Sequence, residues 1–110
     1  MDRAELVAAL VSFSRPIEQI ARELQQFPWD SEADLAGLSR QHLASVLRRF
    51  VSGELTAKAV ENWANAVECR DDIAVDGDQI IRELLLELAN PLLTHPLTID
   101  RAKELLKAVS

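Results

Sequence analysis

A chain of 110 residues with 48% hydrophobic content, a single cysteine and a formal net charge of −6 excludes wholesale disorder and a disulfide-stapled scaffold. No apolar run approaches the roughly 20 residues that a bilayer span needs, and the excess of acid opposes contact with nucleic acid. Asp2 and Glu5 stand where a signal peptide would carry bases, so a cytoplasmic, reducing location is expected.

The elements read as helices almost throughout. Leu6, Val7, Leu10 and Val11 form a helical stripe over about 2–12. Ser14-Arg15-Pro16 looks like a second helix start, because proline is tolerated only in the first turn. Ile17, Ile20, Ala21 and Leu24 would be its apolar face, and Phe27-Pro28-Trp29-Asp30 breaks it. The stretch 34–38 reads as a short helical turn or an irregular link. Ser39 is a candidate N-cap for a helix with Leu43, Val46, Leu47, Phe50 and Val51 inward, and Gly53 sits where its left-handed C′ residue belongs.

Thr56 caps the next helix after a very short link, which implies an αα-hairpin. Val60, Trp63, Ala64 and Val67 form its buried stripe, and it should stop near Arg70, since acids disfavour a helix C-terminus. Asp76-Gly77-Asp78 is a turn and cap. Ile80, Ile81, Leu84, Leu85 and Leu88 follow on the most apolar helix, expected at the centre. Asn90-Pro91 ends it, and Thr98 caps a last helix carrying Ala102, Leu105, Leu106 and Val109. The expected fold is all-α, a compact single-domain bundle of about five to six helices over 1–110 with a central αα-hairpin.

Charge is uneven along the chain. The window 54–90 holds nine acids against three bases, which accounts for the whole net charge. Within it Glu61, Asn65, Glu68 and Asp72 fall on one helical stripe opposite Val60, Trp63 and Val67. Such a stripe can accept charge-assisted bonds from Arg or Lys of a partner, or it can simply be solvated. Asp71, Asp76 and Asp78 would add to the same field. Counting from Asp72, the positions of Asp76, Gly77 and Glu83 suit a calcium loop, but Ala74 and Ile80 replace two oxygen ligands, so a plain turn is the better reading.

No catalytic constellation is present. His42 and His95 stand alone; His42, in a first helical turn, is expected at the surface. Cys69 reads as a small buried hydrophobe beside Arg70. Arg40, Arg48 and Arg49 are the only basic cluster, and pairing with acids suits them better than nucleic acid. Trp63 reads as core, and Trp29 as a core cap or an exposed anchor. No metal or cofactor is expected.

The run Phe50-Val51-Ser52-Gly53-Glu54-Leu55-Thr56-Ala57, followed by an acidic helix, resembles the helical immunity proteins of the colicin D type over about residues 43–73. That resemblance implies a bacterial, non-catalytic protein whose acidic surface mimics a nuclease toxin's substrate and plugs its cleft; it carries over no individual residue. The expectation is therefore a protein-binding domain of immunity or inhibitor type, acting on a basic partner such as a nuclease toxin. Its contact residues would be Glu61, Asn65, Glu68, Asp71, Asp72, Asp76 and Asp78. The alternative is a structural adaptor or homo-oligomerising module that docks through Trp29 and the Leu92-Leu93 pair, its acids merely solvated.

Overall fold

A computed structural model of the chain describes residues 3–26, 36–68, 73–74 and 79–109. Among the described residues six helices run in chain order: α1 (Arg3–Ser12), α2 (Ile17–Leu24), α3 (Arg40–Val51), α4 (Ala57–Glu68), α5 (Gln79–Ala89) and α6 (Ile99–Val109). The fold is all-helical but for one short parallel pairing, β1 (Ala36–Gly37) with β2 (Ile73–Ala74). The stretch 34–38 is thus neither a helical turn nor an irregular link where it is described: Ala36 pairs with Ile73 and Gly37 with Ala74.

Local capping chemistry sets several helix ends. The Ser39 hydroxyl accepts from the His42 backbone N–H at 3.3 Å, and Thr56 and Thr98 accept likewise from Ala59 at 3.0 Å and Arg101 at 3.1 Å. Gly53 adopts φ +88° at the C′ position of α3; the Glu54 N–H reaches Arg49 O at 2.9 Å and the Gly53 N–H reaches Phe50 O at 3.1 Å. That pair of bonds is the Schellman arrangement, and it satisfies carbonyls that have no partner inside the helix.

Helix α1 ends in the same way on a less accommodating residue. Phe13 takes φ +51°, its N–H donates to Leu10 O, and the Ser14 N–H donates to Ala9 O. A left-handed conformation costs a residue with a Cβ about 1–2 kcal/mol, so something must hold Phe13 there. Four tertiary contacts do. Trp63 of α4 donates its indole N–H to Leu10 O at 2.7 Å, and its ring stacks near the Phe13 ring at a centroid distance of 6.4 Å. Arg49 of α3 donates from Nη1 to Phe13 O at 2.7 Å and lies 5.0 Å over the Phe13 ring. Arg49 also pairs with Glu54 across the α3–α4 link.

The central helix is α1, not α5. Leu6, Val7, Ala9, Leu10 and Val11 are all buried, and α1 touches α2, β1, α3 and α4. Its charges are confined to the first turn, and the small exposed residues Ala8 and Ser12 beyond it allow neighbours on several sides. Helix α5 buries one stripe, Ile81, Leu84, Leu85, Leu88 and Ala89, and leaves Leu86 exposed. Helices α3 and α4 follow one another through the tight link and touch. Their broad apolar faces go elsewhere, α3 mainly onto α6 and α4 mainly onto α5. Arg101 of α6 forks onto Glu87 of α5, Nε to Oε2 at 2.9 Å and Nη2 to Oε1 at 2.6 Å, and closes the α5–α6 corner. Those bonds from Glu87 hold the guanidinium proton above its ordinary range.

His42 is half-buried rather than on the surface. Its Nδ1 accepts the Ser39 backbone N–H at 3.0 Å, completing a capping box at the start of α3. Burial lowers its pKa from the ordinary 6.5. Below pH 6.5 the unfolded chain therefore binds a proton that the folded chain refuses. This contribution to stability is complete above 6.5 and is lost as pH falls through the lowered value. His42→Gln keeps an acceptor at the same capping position without a titration. Denaturation midpoints measured from pH 7 to 5 should fall less steeply in this variant than in the parent, and equal slopes would refute the assignment.

Candidate functional site

The acidic stripe of α4 is only partly free for a partner. Glu61 pairs with Lys58 at 3.0 Å on the same helix. Asn65 donates its amide to Glu61 O at 3.0 Å and to Ala89 O at 3.2 Å. Ala89 is the last residue of α5, where carbonyls lack intrahelical donors, so Asn65 caps the neighbouring helix and keeps only its Oδ1 for an outside donor. Glu68, the last residue of α4, is exposed and makes no hydrogen bond or ion pair among the described residues. Asp71, Asp72, Asp76 and Asp78 lie outside the described residues, as do Cys69, Trp29 and residues 75–78 of the calcium-like loop.

What the fold adds is the β1–β2 pairing. Ile73 lies between Asp71-Asp72 and Asp76-Gly77-Asp78 in the chain, and Ala36 follows a run carrying Asp30, Glu32 and Asp34. Ala36 and Ile73 are direct partners. Residues 30–34 and 68–78 together carry eight acids and one base, Arg70, while the rest of the chain has ten acids and eleven bases. The negative charge is thus concentrated in the two stretches of sequence that adjoin Ala36 and Ile73, more sharply than the window 54–90 suggests.

Sequence reasoning missed Asp30, Glu32 and Asp34. Their run of alternating acids gave no sign of a partner segment almost forty residues away, because a two-residue strand has no periodicity to read. The anchor itself is apolar: Leu38 and Ile73 are buried and hold both strands to the core.

A second feature lies at the α5–α6 corner. Leu92 and Leu93 are 99% and 85% exposed in a turn fixed by Leu93 N–H and Thr94 N–H to Asn90 O at 3.1 and 3.0 Å. The Thr94 hydroxyl donates to Asn90 O at 2.8 Å as well. Leu86 and Ile99 are also half-exposed.

Arg49 is committed to Phe13 and Glu54, the acid pairing expected of its cluster; Arg48 is exposed. His95 is exposed in the α5–α6 link. Among the described residues no group of three or more His, Cys, Asp or Glu could hold a metal ion, and no helix is long and apolar enough to cross a membrane. No protein-family model, no curated protein and no solved structure matches the chain.

Proposed function

We propose that this chain is a non-catalytic protein-binding domain of immunity or inhibitor type, which neutralises a basic partner such as a nuclease toxin. The observation that supports this reading is the pairing of Ala36 with Ile73, each of which adjoins an acidic run in the sequence. A concentrated one-signed field steers an oppositely charged partner and accelerates its association by about 10- to 1000-fold. Asp34, Asp71 and Asp72 supply the centre of that field, Glu68, Asp76 and Asp78 its flanks. Glu61 and the Asn65 Oδ1 sit farther along α4 and serve the rim.

The test is inhibition of a basic nuclease isolated from the host cell, measured with and without the chain. Equimolar chain should abolish cleavage, and the association rate should fall steeply as salt rises from about 50 to 500 mM. The triple variant D34N/D71N/D72N should lower that rate at least about tenfold at low salt. A rate unaffected by both salt and these substitutions removes the acidic face from the contact.

The exposed Leu92-Leu93 turn favours a second reading, an adaptor or oligomerising module with an apolar contact. The same measurements separate the two, since a complex indifferent to salt and lost in L92S/L93S belongs to the apolar turn.

A further inference from the structure

The end of α1 forms one wall of a cleft of about 340 Å³, whose other walls come from the start of α2, the α3–α4 link and α4. That volume lies at the lower end of the range for small-molecule sites. Phe13, Pro16, Ile17 and Leu55 make it largely apolar, while Arg49 and Asn62 add polar groups.

The polar groups are unequally committed. Arg49 spends Nε on Glu54 and Nη1 on Phe13 O, and its plane lies over the Phe13 ring, so the guanidinium is held rigidly. Its Nη2 has no partner among the described residues. The half-buried Asn62 amide has none either. A fixed guanidinium nitrogen and an amide without a protein partner, both lining one apolar cleft, suit a ligand with acceptor oxygens on an apolar body. Of the other charged residues of the lining, Arg15 pairs with Glu23 at 2.5 Å and Glu18 is exposed to solvent. Phe13 holds a strained backbone at the cleft wall, and such outliers concentrate where ligands are held.

We propose that this cleft binds a small amphipathic carboxylate. Its apolar body lies against Phe13, Pro16, Ile17 and Leu55, and its carboxylate accepts from Arg49 Nη2 and the Asn62 amide. The site is independent of the acidic segments and does not rest on the reading of a basic protein partner.

The probes are octanoate and 1-octanol, with matching bodies and different heads, titrated into the full chain while backbone amide resonances are followed. Octanoate should shift Phe13, Leu55 and Asn62 in a saturable manner with a Kd of about 1 mM or tighter. Octanol should bind at least about tenfold more weakly. Asn62→Leu, which leaves Arg49 and its supports intact, should remove most of that preference. Ala59→Phe, which fills the cleft, should abolish both titrations while the thermal midpoint shows that the chain remains folded. Arg49→Gln should equalise the two probes if it folds; if it does not, Asn62→Leu decides. Equal binding of the two probes, shifts that map elsewhere, or no saturation at the solubility limit each overturn the proposal.

Discussion

Trp63→Ala should lower the free energy of unfolding by about 3–5 kcal/mol, the largest single-residue effect in the chain. Trp63 is fully buried where α4 meets α1, and the alanine would leave a cavity that neighbours on two helices must fill together. A domain of this size has only about 5–15 kcal/mol in total, so the variant should be partly unfolded near 37 °C. Trp63→Phe keeps an aromatic ring and removes the N–H donor. Its extra cost should be only about 1 kcal/mol, because Leu10 O also accepts from the Phe13 N–H and is not orphaned. Urea unfolding followed by helical circular dichroism measures both. A cost for the alanine variant below about 2 kcal/mol would mean that Trp63 is not the keystone described here.

The second large effect is at Phe13, where two substitutions should fall in the reverse of their usual order. Phe13→Ala loses a buried ring and its contacts with Trp63 and Arg49, at about 3–5 kcal/mol. Phe13→Gly loses the same contacts but removes the Cβ that resists a positive φ. The glycine variant should therefore be more stable than the alanine variant by about 1 kcal/mol, although glycine is ordinarily the poorer choice through its unfolded-state entropy. Parallel denaturation curves decide it, and an alanine variant equal to or above the glycine variant would remove the left-handed end of α1 from the account.

Both effects centre on the place where α1 ends, and little in the sequence announced it. The caps at Ser39, Thr56 and Thr98 and the turn at Gly53 were legible, because each closes over three to five residues with chemistry specific to those side chains. Trp63 was legible as core from its helical stripe. Phe13 was not, because nothing local favours an aromatic residue in a left-handed conformation; Trp63 and Arg49 impose it from 50 and 36 residues away. His42 was misplaced for a related reason. A histidine accepting in a capping box looks, in sequence, like any polar residue of a first helical turn.

The candidate acidic site divides along the same line. Glu68 stands where helical periodicity put it, exposed at the end of α4. Asn65 shares that stripe, yet most of its hydrogen-bonding capacity goes to the carbonyl end of α5. Only the packing of α4 on α5 makes that visible. Asp30, Glu32 and Asp34 precede, in the sequence, a strand pairing two residues long, too short to leave any pattern.

By itself the sequence determined the helical class, the apolar stripes and most of the helix ends, because these follow from interactions within about one turn of chain. The tertiary structure alone decided that α1 lies at the centre, that α3 packs on α6 and α4 on α5, and that Ala36 pairs with Ile73. Those outcomes depend on which apolar faces meet. Burial is non-directional, so several pairings of similar stripes satisfy it about equally. Specific long-range bonds choose among them, Trp63 to Leu10, Arg49 to Phe13 and Arg101 to Glu87, each joining residues that no local pattern connects.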